Sequence, residues 1–329
     1  MSLITKKEKI FIAGHNGMVG KAVYKSLKES GYENLLTISR EELDLVEVDK
    51  VNNWFKDNKP NVVIIAAAKV GGIMANKNNP VGFLLDNLKI QNNLIEASFK
   101  NQVKRLLFLG SSCIYPKYAK QPIKEEYLLS GYLESSNDSY AIAKIAGIKL
   151  CEAMKVQYDF DALCLMPTNL YGPGDNYHLE NSHVIPSLLR KFHEAKINKK
   201  DYVTCWGSGK PLREFLHVND LGNACKFVLE QWNPKINSDE FSSNFLNVGT
   251  GKDLSIKDLA LLISKITSFK GEIKWDSSKP DGTPRKLLDI SRIKKLGWEP
   301  KISLEKGLTQ TYEDFCKQLN KKDNKNIRL

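Results

Sequence analysis

Tyr140 and Lys144 stand four residues apart in Ser139-Tyr140-Ala141-Ile142-Ala143-Lys144. On a helix, positions i and i+4 share a face. An ammonium beside a phenol favours the phenolate and draws a tyrosine below its usual pKa of about 10. The expected product is a phenol able to exchange a proton with a carbonyl near neutral pH. Spacing alone carries little weight, because a second copy, Tyr24 and Lys28, falls on the helix expected after the first strand. Position separates the two. Tyr140 follows the apolar run Arg105–Gly110 and its polar end Ser111-Ser112-Cys113, and in open α/β sheets ligands gather beyond the carboxyl ends of strands.

A second chemical feature lies near the N-terminus. Gly14, Gly17 and Gly20 recur at every third position of Gly14-His15-Asn16-Gly17-Met18-Val19-Gly20, directly after the apolar Ile10–Ala13. Glycine permits a tight turn and the close approach of a pyrophosphate, and the helix that follows offers free N–H groups and positive potential to phosphates. The pattern points to a dinucleotide. NAD-binding chains carry an acidic residue about 20 positions further on, against the ribose 2′-OH. This chain has Ser39-Arg40 there, with Glu41 and Glu42 next. A guanidinium suits a 2′-phosphate, so NADP(H) is the expected cofactor.

Alternating elements must position these groups. Strands are expected at Ile10–Ala13, Leu35–Ser39, Val62–Ala68, Arg105–Gly110 and Ala162–Met166. Helices are expected at Val19–Ser30, Val51–Asn58, Pro80–Asn101 and Tyr140–Tyr158. That alternation predicts a Rossmann-type doubly wound parallel sheet. After Pro167 the pattern loosens into a Pro-, Gly-, Asn- and His-rich loop, followed by Val184–Ala195, Leu221–Gln231, Phe245–Val248 and Ile256–Thr267. The expected division is a dinucleotide-binding domain over residues 1–167 and a smaller α/β substrate domain over 168–329. Segments near 213–220 and 245–249 are expected to return to the first.

The 329 residues, 42% of them hydrophobic, suffice for a sizeable core. No apolar run reaches the roughly 18 residues of a membrane span. The start, Met1 to Lys9, lacks a signal core, and the expected location is the cytoplasm. The six cysteines (113, 151, 164, 205, 225 and 316) form no Cys-x-x-Cys pair, which argues against structural zinc and for reduced thiols. The net charge of +11 suits a phosphorylated partner. Basic stripes with interleaved aromatics are absent, which argues against nucleic acid. Part of the positive excess lies in the end, Lys317 to Leu329, which is expected to fray.

Further segments complete a specific set: Ala66-Ala67-Ala68-Lys69-Val70-Gly71-Gly72-Ile73, Gly110-Ser111-Ser112-Cys113-Ile114-Tyr115-Pro116 and Pro167-Thr168-Asn169-Leu170-Tyr171-Gly172-Pro173. Asn181-Ser182-His183-Val184-Ile185-Pro186, Arg213 to Val218 and Lys279 to Lys286 follow. Together they resemble the extended short-chain dehydrogenase/reductases, and among these the GDP-sugar 3,5-epimerase/4-reductases, from about Lys9 to Phe315. The resemblance implies a reductase triad of Ser111, Tyr140 and Lys144, with Cys113 as epimerisation base and His183 as acid. It implies a cofactor held by Gly14–Gly20, Arg40, Ala66, Ala67, Ala68, Gly110, Ser111, Ser112, Tyr140, Lys144, Pro167, Thr168, Asn169, Leu170 and His183. It implies a GDP-sugar held by Asn169, Lys191, Trp206, Arg213 and Asp281, and a homodimer built through the Pro80–Asn101 and Tyr140–Tyr158 helices. Asn16 and Lys191 stand where some members have arginine. The base role needs Cys113 to fall below the ordinary thiol value of about 8.5. Without the resemblance, Cys113 and Trp206 read as packing, His183 as a hydrogen-bonded loop residue and Arg213 as a salt-bridge partner. Two rivals remain: a nucleotide-sugar 4-epimerase or 4,6-dehydratase with bound NAD, and a non-catalytic redox-sensing Rossmann module. A dehydratase would want an acidic pair after Ser111, where this chain has Ser112-Cys113.

Overall fold

The computed structural model describes residues 2–178, 182–234, 244–279 and 281–320. Asn181 and Pro280, from two of the quoted segments, and the end beyond 320 lie outside the described residues. The elements run β1 (Ile10–Ala13), α1 (Met18–Glu29), β2 (Leu35–Leu36), α2 (Val48–Asn58), β3 (Val62–Ile65), α3 (Ile73–Asn78), α4 (Pro80–Lys100), β4 (Arg105–Leu109), α5 (Asp138–Tyr158), β5 (Ala162–Pro167) and β6 (Asn169–Tyr171). Then come α6 (Val184–Ile197), β7 (Tyr202–Trp206), β8 (Leu212–His217), α7 (Val218–Gln231), β9 (Phe245–Val248), β10 (Asp253–Ser255), α8 (Ile256–Thr267), β11 (Glu272–Asp276), β12 (Arg285–Lys286), α9 (Ser291–Lys295) and α10 (Leu304–Asn320).

Six parallel strands form the main sheet in the order β2-β1-β3-β4-β5-β9. Every residue of β1, β3, β4, β5 and β9 is buried. Successive side chains point to opposite faces, so both faces are covered, which is why these strands read as unbroken apolar runs. α1 packs against α7, and α4 lies against α5 with α2 beside it. The chain leaves β1 for β2 on one side and reaches β3 on the other. The order of the strands thus reverses at β1 and β3, a topological switch point and the usual place for a ligand crevice.

Two strands end earlier than the apolar pattern suggests. β2 stops at Leu36, because Ser39 and Glu42 bond reciprocally (Ser39 N–H to Glu42 Oε2, 3.0 Å; Glu42 N–H to Ser39 Oγ, 3.3 Å) and curl the backbone into a turn. β3 stops at Ile65, and Ala66, Ala67 and Ala68 run on past the sheet edge toward the glycine turn.

A second apolar core gathers Leu188, Leu189 and Phe192 of α6, Val203 and Cys205 of β7, Leu259 and Ile263 of α8, and Leu308 and Phe315 of α10. β8 ties the two halves together. It pairs with β6 and β12 in parallel and with β10 antiparallel. Its Glu214 carboxylate, wholly buried, accepts the backbone N–H groups of Thr250 (2.6 Å), Gly251 (2.7 Å) and Leu288 (3.0 Å). Hydrogen bonds to a charged group contribute about 1.5–3 kcal/mol each; here they counter part of the burial, which still leaves this carboxyl's pKa raised. Among the described residues no helix is long and apolar enough to cross a membrane.

Candidate active site

The glycine turn is built for close approach. Gly14 has φ +88°, and a Cβ there would stand 2.6 Å from the Ala67 nitrogen, so the loop after β1 rests directly on the loop after β3. A Cβ on Gly20 would overlap the Gly14 carbonyl, so α1 starts hard against the turn. No side chain caps the start of α1 and its first turn carries no acidic residue. Its free N–H groups remain available to an anion. The buried Nδ1 of His15 has no partner within the protein. An open cradle, uncapped amides and an orphaned polar atom fit a dinucleotide pyrophosphate. Arg40 lies on the turn beyond β2, 81% exposed and paired with Asp44 at 3.5 Å.

Beyond the carboxyl end of β4, Ser111 caps a short 3₁₀ turn, its Oγ accepting the Cys113 N–H at 3.4 Å. Tyr140 and Lys144 project from the first two turns of α5. Lys144 is 2% exposed; its Nζ donates to the Leu109 carbonyl at 2.8 Å and lies 4.6 Å from the Phe108 ring and 5.8 Å from the Tyr140 ring. Phe83 meets Tyr140 edge-on at 6.4 Å. Burial pushes Lys144 down to about 8.

Two expectations are overturned here. Tyr140 is not drawn toward phenolate: burial, reinforced by the nearby Cys113, raises it far above 10. The Lys144 ammonium faces a carbonyl and a ring rather than the phenol oxygen, and is itself discouraged from carrying charge. Cys113, 7% exposed, is likewise pushed up by burial, opposed by Lys286, the Ser111 hydroxyl and Lys144.

His183 caps the start of α6. It is open to solvent yet enclosed by protein on most sides, the situation of a group on a cleft wall. That surrounding bulk, and the Lys286 charge, push its pKa down. Cys113 and His183, 70 positions apart in the chain, thus both feel one ammonium. Lys286 is the residue that sequence reasoning missed. It stood in a quoted segment, but nothing in its spacing separates it from the 48 other basic residues.

The outer wall is cationic and aromatic. Lys191 sits 4.7 Å above the Trp206 ring and Lys279 5.6 Å from it. Trp206 is 50% exposed, so it is a surface platform rather than core. Asp281 accepts the Ser208 N–H and hydroxyl, both at 2.7 Å, which fixes the turn after Trp206. Burial lowers the pKa of Arg213, and Asp281 and Glu134 oppose that. Thr168 and Asn169 hang from the Glu214 carbonyl at 3.3 and 2.8 Å. Cys113, Tyr140 and Lys144 thus interact electrostatically with one another, and His183 is linked to Cys113 through the shared Lys286 charge. Lys191 and Trp206 form a second group, Arg213 and Asp281 a third, and Arg40 stands apart at the sheet edge.

A six-stranded parallel sheet with a glycine cradle at its switch point and a Ser/Tyr/Lys set beyond β4 defines a nucleotide-dependent short-chain oxidoreductase. The chain belongs to the NAD dependent epimerase/dehydratase family, whose model matches residues 10–242, and the resemblance to extended short-chain enzymes is borne out. It is 51% identical over 313 residues to GDP-L-fucose synthase of Escherichia coli, covering 94% of this chain and 97% of that one. It is also 51% identical over 318 residues to GDP-L-fucose synthase 1 of Arabidopsis thaliana, covering 97% and 96%. Among solved structures, the GDP-L-fucose synthetase of Naegleria fowleri bound to NADP matches with a TM-score of 0.85 at 26% identity, over 99% of this chain and 98% of that one.

Proposed function

We propose that this protein is an NADP-dependent enzyme that converts GDP-4-keto-6-deoxy-D-mannose to GDP-L-fucose, inverting C3 and C5 and then reducing the C4 ketone. The observation that carries the reading is the neighbourhood of Cys113, His183 and the Ser111/Tyr140/Lys144 set beside a dinucleotide cradle. Protons on C3 and C5 are both α to the ketone and acidified by it, so one base and one acid on opposite faces serve both inversions. Cys113 takes the α proton, His183 delivers one to the other face, and Ser111 and Tyr140 steady the enolate oxygen. When bound, the nicotinamide supplies the hydride that C4 receives. Tyr140, kept protonated by burial, then gives its proton to the C4 oxygen, and solvent restores it. Inversion comes first, because the α protons lose their acidity once the ketone is gone.

Gly14 to Gly20, Ala66 to Ala68 and Arg40 would hold the cofactor; Asn169, Lys191, Trp206, Arg213 and Asp281 would hold the GDP-sugar. We assign residues 1–167, with the returning stretches near 213–220 and 245–249, to cofactor binding and the remainder to the substrate, in the cytoplasm. A homodimer through α4 and α5 is supported by the apolar side chains these helices expose, namely Val81, Leu85, Ile142, Val156 and Tyr158; light scattering tests it. NADPH oxidation with the 4-keto sugar nucleotide, with the product read by proton NMR, tests the activity. A 4-epimerase or 4,6-dehydratase would leave NADPH unconsumed, and a non-catalytic module would leave the sugar unchanged as well.

A further inference from the structure

Cys113 presents a problem of charge. A base for a carbon-bound proton must reach its thiolate form, yet this thiol is buried, and burial opposes that form. Some feature of the site has to counter the cost.

The backbone carrying Lys286 is clamped from two sides. β12 pairs with β8 so that Lys286 stands opposite Arg213. The next residue, Leu287, donates to Gln121 Oε1 at 2.8 Å and accepts the Ile123 N–H at 2.7 Å. Gln121 Nε2 donates to the Arg285 carbonyl at 3.2 Å. Leu288 N–H donates to the buried Glu214 at 3.0 Å. Residues 121–123 follow the turn that bears Cys113 by a few positions. The backbone at Lys286 is therefore held between that segment and β8, with the side chain only partly exposed.

We propose that Lys286 is a positioning residue for epimerisation, its ammonium setting the proton distribution between Cys113 and His183. The proposal rests on the epimerase/reductase reading. The charged and titratable groups around it are Cys113 from the 3₁₀ turn, Arg213 from β8, Glu134 from the loop before α5, and His183 at the start of α6. Glu134 is held by Lys117 at 2.9 Å. Lys144 and Tyr140 of α5 add to the field at Cys113.

The chemistry follows from a cation near both groups. It makes the thiol give up its proton more readily and makes the imidazolium a stronger acid. The Cys113 thiolate takes the α proton, the electron pair passes to the C4 oxygen, and His183 returns a proton to the opposite face. Exchange with water then restores both starting forms. The working pair is one thiolate and one imidazolium. A charge that lowers both pKa values leaves the share of that pair unchanged and moves the pH at which it peaks. Loss of Lys286 should therefore displace both limbs of the pH profile the same way, whereas a structural lesion would lower its height only.

The test follows solvent deuterium entering C3 and C5 of GDP-4-keto-6-deoxy-D-mannose with NADPH withheld, as a function of pH, with NADPH binding by fluorescence as the check on folding. For Lys286→Met, both limbs should move toward alkaline pH by about one unit, the lower range for a neighbouring charge, and Lys286→Arg should stay close to wild type. Should the methionine variant fail to bind NADPH, Lys286→Gln replaces it with the same expectation. Unmoved limbs, or limbs moving in opposite directions, overturn the role of Lys286 while the epimerase reading stands. An absence of exchange in the wild type overturns both.

Discussion

The chain holds the same Tyr-x-x-x-Lys spacing twice, on α1 and on α5. Tyr24 is 36% exposed and Lys28 faces solvent. Tyr140 is partly buried between Phe83 and the end of β4, and Lys144 is buried with its Nζ on the Leu109 carbonyl. Both pairs share a helix face. Only the second faces the carboxyl ends of the sheet, where burial can shift protons. Spacing sets which side chains are neighbours; the environment that tunes them comes from what the helix packs against.

The comparison can be broken most directly at the proton-transfer groups. Cys113→Ser should abolish deuterium exchange at C3 and C5 measured by proton NMR, a loss of about 1000-fold or more, since a hydroxyl is a far weaker base than a thiol near pH 7. NADPH binding should persist. Exchange at the wild-type rate would return Cys113 to the status of packing. Tyr140→Phe should slow C4 reduction by about 100-fold or more, as expected for loss of a general acid, while Tyr24→Phe should leave it unchanged. Equal rates in the two variants would falsify the assignment of α5.

The two lysines sharpen the contrast through stability. Lys144 titrates at about 8 in the folded protein against an ordinary 10.5, so between these values the unfolded chain binds the extra proton and folding stability rises with pH. Below about 8 the fold carries the full cost of a buried ammonium, roughly 3 kcal/mol. Lys144→Met should therefore lose reductase activity yet match or exceed wild-type stability at pH 7, and that advantage should shrink as pH rises from about 8 to about 10. Urea unfolding at several pH values reads the trend; a gap that widens with pH would rule it out. Lys28→Met should change stability by less than about 0.5 kcal/mol.

The smallest effect belongs to the exposed edge of the cofactor cradle. Arg40→Ala should weaken NADPH binding by about 1 kcal/mol, a modest figure because the guanidinium is solvated, and should leave NADH nearly untouched. Titration calorimetry with both cofactors decides it, and equal losses would remove Arg40 from the 2′-phosphate.

Much of this was legible in the residues alone. Val62–Ile65 reads as a fully buried strand because nothing polar interrupts it, and Gly14 and Gly20 mark a turn that admits no side chain. The early end of β2 was not legible, because the Ser39–Glu42 bonds that curl the chain away depend on backbone geometry that an apolar pattern does not encode. Trp206 read as core from its type, but it lies at the exposed end of β7, where alternate residues face solvent.

The sequence by itself determined the alternating elements, the phosphate-binding turn and the face shared by Tyr140 and Lys144, because these follow from local periodicity and local sterics. The tertiary structure alone decided the protonation of the site. It brings Cys113, His183 and Lys286 into one electrostatic neighbourhood from three distant parts of the chain. It also buries Lys144 and Cys113 and partly buries Tyr140, so that the Tyr140 pKa rises where the pair spacing suggests a fall. Desolvation and Coulomb forces act through space, and only the folded chain fixes which groups are close and which are dry.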